Sequence, residues 1–97
     1  MRNRYLIAYD IADDKRRDQV YTALMGSGDH VQFSVFLCAL NDRELAELTG
    51  RLSQTINHAD DQVIVLDMGA ADSELFEKSQ LRCIGKGYQP RARVLVV

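Results

Sequence analysis

The sequence predicts a single α+β domain in which two helices cover one face of a β-sheet. Three observations favour this class. The 97 residues suffice for one domain, several short apolar segments have the length of strands, and two longer segments carry apolar residues at helical spacing. With 46% hydrophobic and 27% charged residues, the composition is that of a folded protein. We therefore expect residues 1–97 to form one domain.

The first two strands are predicted at residues 4–11 and 31–40. Both segments are largely apolar on both faces, and in the first segment this holds until Asp10. Further strands are predicted at residues 62–66, 80–84 and 93–97. Because strands that are apolar on both faces need cover on both faces, helices on one side alone do not complete this sheet.

Two helices are predicted from their caps and apolar stripes. Helix one covers residues 13–25, with Asp13 as its N-cap. Helix two begins at residues 41–44, which are close to a capping box, and ends at about Ile56. The combined order is a ferredoxin-like βαββαβ arrangement with an extra C-terminal strand, in which both helices cover the same face.

The opposite face of the sheet is predicted to be apolar and open. A monomer rarely leaves so large an apolar patch in water. We therefore expect a homodimer that packs sheet against sheet about a two-fold axis. The strand at residues 93–97 is a candidate for crossing to the edge of the partner's sheet.

The net charge of −2 argues against indiscriminate binding of nucleic acid, but the charge is unevenly distributed. Residues 29–77 are mainly acidic, whereas residues 78–97 carry basic and no acidic side chains. The two ends of the chain could therefore form a local basic surface. Its candidate residues are Lys15, Arg16, Arg17, His30, Arg82, Arg91 and Arg93.

Other features narrow the class of protein. No apolar segment approaches the ~18 residues that a membrane span needs, and the N-terminus lacks the pattern of a secretory leader. Cys38 and Cys83 could pair, but reduced thiols are the simpler expectation, and their spacing does not indicate zinc. These features predict a cytoplasmic protein.

Asp10 is the first candidate for chemistry, because it is a carboxylate at the end of an apolar strand. It could cap the following segment or pair with Arg16, or it could bind a hard cation such as Mg²⁺. One carboxylate makes a poor Mg²⁺ site. In a two-fold dimer, however, two copies of Asp10 could face each other and share an ion that activates water against a phosphodiester.

Lys15, Arg16 and Arg17 lie in the first turn of helix one, where positive charges oppose the helix dipole. They could pair with the neighbouring aspartates, or they could contact a phosphate backbone. Sequence alone leaves both roles open.

Four more residues are candidates for the same site. Ser34 and Phe36 share a face of the second predicted strand, where Ser34 could orient a ligand and Phe36 could serve packing alone. Tyr9 is expected in the core, with its hydroxyl at the edge. His30 precedes the strand and could contact phosphate, act as a general base or simply face solvent.

Two motifs carry a resemblance to a known family. The segment from Ile7 to Arg17 reads Ile-Ala-Tyr-Asp-Ile-Ala-Asp-Asp-Lys-Arg-Arg, and the later segment from Gln32 to Phe36 reads Gln-Phe-Ser-Val-Phe. Together they resemble the Cas-two family, the small dimeric CRISPR-associated proteins of spacer acquisition. The resemblance extends over nearly the whole chain.

The resemblance implies a ferredoxin-like homodimer that bridges subunits of the CRISPR integrase and supports the DNA to be inserted as a spacer. It also implies a Mg²⁺-dependent endonuclease acting on single-stranded RNA or double-stranded DNA. In that activity Asp10 would be the metal ligand, with Tyr9, Ser34 and Phe36 as catalytic residues. The family's helix-one arginine falls on Arg16 or Arg17.

Scaffold and endonuclease are therefore the two functional hypotheses. The alternative is a toxin-like metal-dependent ribonuclease of similar fold without a CRISPR role. A regulatory domain for a small molecule is disfavoured, because no glycine-rich loop follows the first strand.

Overall fold

The computed structural model describes residues 1–71, 82 and 84–86. Four strands and two helices follow one another in the order β-α-β-β-α-β. They are β1 (Asn3–Asp10), α1 (Asp14–Met25), β2 (Asp29–Gln32), β3 (Val35–Leu40), α2 (Asp42–Thr55) and β4 (Gln62–Ala70). The predicted strand at residues 93–97, with its crossing to a partner, lies outside the described residues, as does most of the one at residues 80–84.

The four strands form one antiparallel sheet in the order β2-β3-β1-β4. Strand β1 lies in the centre, paired with β3 on one side and β4 on the other. Both helices pack on one face. This arrangement confirms the predicted ferredoxin-like βαββαβ fold.

Both helices begin as the sequence predicts. The side chain of Asp13 accepts a hydrogen bond from the backbone N–H of Arg16 (2.9 Å) and caps α1. Asn41 and Glu44 form a complete capping box at the start of α2. Neither helix of the described residues is long and apolar enough to cross a membrane.

The prediction of one continuous strand at residues 31–40 is wrong. The chain reverses at Phe33 and Ser34, so β2 and β3 form a hairpin. Phe33 makes the reversal possible with a φ of 29°, a conformation that hairpins usually assign to Gly or Asn. Neither Phe nor Ser is typical of such a turn, so the apolar residues on both sides of it look like one continuous strand in the sequence. Ser34 consequently lies in a turn rather than on a strand face.

The core lies between the sheet and the helices. Alternate residues of β1, among them Ile7 and Tyr9, point into it and meet side chains from α1, β3 and α2. Its fully buried members are Ile7, Val20, Leu24, Phe36 and Cys38. Position 83 lies outside the described residues, so the predicted state of the two cysteines remains a prediction.

The other face of the sheet is apolar, and no helix of the described residues packs on it. On it, Leu6 of β1 stands opposite Leu37 of β3 and Leu66 of β4. Leu66 is 55% exposed and its neighbour on this face, Ile64, is 51% exposed. Asp10 ends β1 on the same face. We call this surface the open face; its apolar character was predicted from sequence.

Gly28 allows the chain entering β2 to lie directly against β3. A Cβ atom at this position would overlap the backbone O of Leu37 and the Sγ of Cys38, and would lie 2.9 Å from the Cα of Cys38. The two strands could accept a side chain here only by moving apart.

We expect Gly28→Ala to lower the free energy of unfolding by about 2 kcal/mol, as overpacking against backbone does. Gly50→Ala is the matched control, because Gly50 lies in α2 with no atom near its would-be Cβ. This substitution should raise the free energy of unfolding by about 0.5–1 kcal/mol. Urea denaturation measures both values. Equal midpoints for the two variants would contradict the close approach at Gly28.

Candidate active site

A cleft of about 430 Å³ opens where the end of β1, helix α1 and the β2–β3 turn meet. The residues lining it are Tyr9, Asp10, Ile11, Arg17, Asp18, Tyr21, His30, Phe33 and Ser34. Five of them are residues that the sequence analysis proposed for chemistry or phosphate contact. The fold therefore gathers residues from distant parts of the chain at one place.

Asp10 presents its carboxylate to solvent at the edge of this cleft. It is exposed, and no described residue forms a hydrogen bond or ion pair with its side chain. The two structural roles considered for it belong to other residues, since Asp13 caps α1 and Asp61 pairs with Arg16. The carboxylate of Asp10 is therefore available for a ligand.

Arg16 and Arg17 are adjacent in sequence but have different surroundings. The Arg16 Nε donates to Asp61 (2.8 Å), and this arginine does not line the cleft. Arg17 does line it, with its guanidinium held by the backbone O of Ile11 (3.0 Å) and by Asp14 (2.7 Å). The side chain of Arg17 nevertheless remains 45% exposed. Geometry favours Arg17 as the arginine facing a ligand.

Asp61 joins the loop after β1 to the loop before β4. Its side chain is fully buried and accepts from Arg16, from the backbone N–H of Ala12 (2.9 Å) and from that of Asn57 (2.8 Å). The hydrogen bond from Arg16, aided by the two backbone donors, holds the pKa of this carboxyl well below its ordinary value, although burial opposes the shift. The segment next to Asp10 is thereby fixed in place.

We expect the free energy of unfolding to fall as the pH drops below about 4. The reason is that the Asp61 carboxyl binds a proton at a higher pH in the unfolded chain than in the folded protein. A carboxyl whose pKa is lower in the folded protein stabilises the fold at pH values above its pKa in the unfolded chain. This stabilisation is lost as the pH falls towards its pKa in the folded protein. Asp61→Asn should therefore be less stable than wild type at pH 7. The difference in the free energy of unfolding between the two proteins should decrease from pH 5 towards pH 2. Denaturant midpoints measured across this range test it.

The exposed neighbour Asp60 provides the control for this experiment. Asp60→Asn removes the same charge from the same loop without removing the Arg16 contact. Its stability should follow that of wild type across the pH range. A constant gap between Asp61→Asn and wild type would show that the carboxylate does not carry the pH dependence.

Aromatic rings form the floor of the cleft. Phe36 is fully buried and stacks with Tyr9 at a centroid distance of 6.4 Å, while the ring of His30 lies 4.9 Å from it. Tyr21 meets both Phe36 and His30 edge-on. Phe36 therefore supports the site from below, as the packing interpretation proposed.

Tyr9 is 8% exposed, and burial is the main reason why the pKa of its phenol is raised. Nearby Tyr21 and Asp18 act in the same direction, whereas Arg17 opposes it. The phenol consequently keeps its proton at neutral pH and can donate a hydrogen bond into the cleft.

The β2–β3 turn is attached to the site at two points. The backbone N–H of Tyr9 donates to the backbone O of Ser34 (3.1 Å). The His30 Nε2 lies 2.7 Å from the backbone O of Phe33. Because a carbonyl oxygen only accepts, Nε2 carries the proton, and in the neutral ring Nδ1 is left as an acceptor.

The remaining predicted contacts lie elsewhere. Lys15 lines a separate groove between α1 and α2, together with Arg51, and Arg82 is exposed. Arg91 and Arg93 lie outside the described residues. Their nucleic-acid contacts stay predictions.

Sequence analysis missed four residues of the cleft: Ile11, Asp18, Tyr21 and Phe33. Tyr21 follows Arg17 by four residues, a helical spacing that places both on one face and could have revealed it. Phe33 gave no such signal, because it looked like one apolar position in a continuous strand.

No group of three or more His, Cys, Asp or Glu side chains that could hold a metal ion occurs among the described residues. Mg²⁺, however, commonly binds one or two carboxylates and completes its shell with water and phosphate oxygens. An exposed Asp10 fits this donor chemistry when a second copy supplies another carboxylate.

The fold and the cleft define a small ferredoxin-like protein with a carboxylate, an arginine and aromatic rings at the end of its central strand. A sequence model of the family described as CRISPR associated protein Cas2 matches residues 2–74. The chain belongs to this family, as the two sequence motifs indicated.

Individual proteins show the same relationship. The CRISPR-associated endoribonuclease Cas2 of Geobacter sulfurreducens is 31% identical over 97 residues, covering 100% of this chain and 99% of its own. The crystal structure of a hypothetical protein from Thermus thermophilus has a TM-score of 0.77 at 30% identity, covering 94% of this chain and 100% of its own. Streptococcus pyogenes Cas2 has a TM-score of 0.67 at 25% identity, covering 81% and 99%. None of these matches supports the toxin-like alternative.

Proposed function

We propose that two copies of this chain form a cytoplasmic CRISPR adaptation protein that bridges integrase subunits and supports DNA during spacer acquisition. We further propose that the dimer is a Mg²⁺-dependent endonuclease acting on single-stranded RNA or double-stranded DNA. The observation that carries the proposal is the position of Asp10: its free carboxylate ends the open face and borders the cleft.

The open face supports the dimer. Its exposed leucine and isoleucine side chains on β4 would be removed from water by a second copy of the same face. Asp10 lies on this face at the end of β1, so packing about a two-fold axis can bring two carboxylates together. One dimer would then hold one shared site.

Each residue of the cleft has a role that its surroundings support. Arg17 is fixed by Ile11 and Asp14 while remaining partly exposed, so it can pair with a phosphate at little cost in side-chain entropy. The protonated phenol of Tyr9 can donate to a phosphate or leaving-group oxygen. The Nδ1 atom of His30 can accept a proton.

Mg²⁺ held by two Asp10 carboxylates would supply charge neutralisation at the phosphate and a more acidic bound water. The name of the Geobacter sulfurreducens relative describes an endoribonuclease, which favours RNA as the substrate to test first. The surroundings of Arg17 and Tyr9 suit a phosphodiester of either nucleic acid.

The test combines cleavage with assembly. Labelled single-stranded RNA and duplex DNA are incubated with the purified protein in Mg²⁺ or in EDTA, and sedimentation with the integrase subunit measures complex formation. We expect a dimer that joins the integrase and cleaves only with Mg²⁺. Assembly without cleavage would overturn the endonuclease proposal and leave the scaffold. A monomer that does neither would overturn both.

A further inference from the structure

Phe33 is an exposed aromatic residue held in an unfavourable backbone conformation. Its side chain is 87% exposed and its φ is 29°. A bulky side chain with positive φ is strained, and an exposed phenyl ring gains nothing from burial. Within the described part of the chain, Phe33 does not belong to the hydrophobic core. Folding therefore does not explain the residue.

The turn that carries Phe33 is rigidly attached to the candidate active site. His30 binds the backbone O of Phe33, and its ring is packed against the buried Phe36. The next residue, Ser34, accepts a backbone hydrogen bond from Tyr9, one residue before Asp10. The backbone of Phe33 is thus anchored at the wall of the cleft that contains Asp10 and Arg17, and its exposed ring is accessible to a ligand there.

We propose that Phe33 is a stacking platform for an unpaired nucleobase of a single-stranded nucleic acid whose backbone lies at Asp10 and Arg17. This inference rests on the proposed endonuclease function. Exposed aromatic rings beside phosphate-binding arginines bind single strands because an unpaired base offers a free π-face. In a duplex the faces of the bases are already stacked. Phe33 would therefore favour single strands over duplexes.

The test measures equilibrium binding in EDTA, so that cleavage does not interfere. Fluorescent single-stranded RNA, single-stranded DNA and duplex DNA are titrated with wild type, Phe33→Ala, Phe33→Leu and Phe33→Tyr. Loss of the ring should weaken single-strand binding roughly five- to hundredfold. Phe33→Tyr should bind within about twofold of wild type, because it keeps a stacking ring. Duplex binding should change in none of the variants.

Phe33→Gly separates strain from stacking. Glycine adopts positive φ freely, so this variant should be more resistant to denaturant than Phe33→Ala, while both lose single-strand affinity. Single-strand binding that survives in Phe33→Ala and Phe33→Leu would overturn the inference. So would an equal loss for duplex DNA, or dissociation of the dimer, which would make Phe33 a contact between copies.

Failure of the stacking inference for Phe33 can be distinguished from failure of the endonuclease proposal. Cleavage in Mg²⁺ by wild type and by Asp10→Ala is measured on the same substrates. Absent cleavage with a retained Phe33 effect on single-strand binding overturns the enzyme and supports the platform. Asp10-dependent cleavage with normal binding by Phe33→Ala supports the enzyme and overturns the platform.

Discussion

Asp10→Ala is expected to reduce Mg²⁺-dependent cleavage of RNA or DNA by at least about a hundredfold, a loss consistent with removing electrostatic stabilisation from an active site. The substitution should leave the fold intact. Asp10 is exposed at the end of β1, and no described residue depends on its side chain for a hydrogen bond. Cleavage rates with labelled substrate, beside denaturation and sedimentation of the same samples, measure both effects.

Asp60→Ala is the matched control for this experiment. It removes an exposed carboxylate from a loop that does not line the cleft, so its cleavage rate should equal that of wild type. A folded Asp10→Ala dimer that cleaves at the wild-type rate would show that the activity, whatever its source, does not use this carboxylate.

Mixed dimers extend the same prediction to the shared site. If each protomer supplies one of two carboxylates, a dimer of one wild-type and one Asp10→Ala chain has only half of the ligand set. Its rate should then fall well below half of the wild-type rate. A rate of half would indicate two independent sites and would argue against a metal shared across the two-fold axis.

Sequence predicts much of this fold because local signals and long-range packing agree. Strand β1 alternates buried and half-buried residues up to the exposed Asp10, and both helices begin at side chains that cap them in the ordinary way. The β2–β3 hairpin was missed for a physical reason. A Phe–Ser turn has no local preference for reversing the chain, and the positive φ of 29° at Phe33 is one that Gly or Asn ordinarily supplies.

The sequence predicts which residue types form the site, but not which side chains pair with one another. Arg16 and Arg17 are neighbours in sequence, yet successive residues of a helix point about 100° apart, so only one of them faces the cleft. Asp61, which binds Arg16 across 45 positions of the chain, had no sequence signal at all. Partnerships between distant loops depend on the tertiary fold, which no local pattern encodes.

Leu66→Asp is expected to separate the dimer. Leu66 is 55% exposed on the open face and stands opposite Leu6 of β1. In a sheet-to-sheet dimer the substitution enters the interface twice by symmetry, and each carboxylate would be buried without a partner of opposite charge. We expect the dimer dissociation constant, measured by sedimentation equilibrium, to rise by at least about a hundredfold.

Val65→Asp is the control for Leu66→Asp, because it makes a similar change one residue away on the opposite face of the same strand. Val65 is 39% exposed and pairs with Ile7 in β1. If the open face forms the dimer, Val65→Asp remains dimeric, while Leu66→Asp becomes monomeric and loses cleavage at the same time. Raising the concentration of Leu66→Asp should then restore both together, since a site made of two Asp10 carboxylates exists only where two chains meet. Cleavage by a confirmed Leu66→Asp monomer would instead place the whole site within one chain.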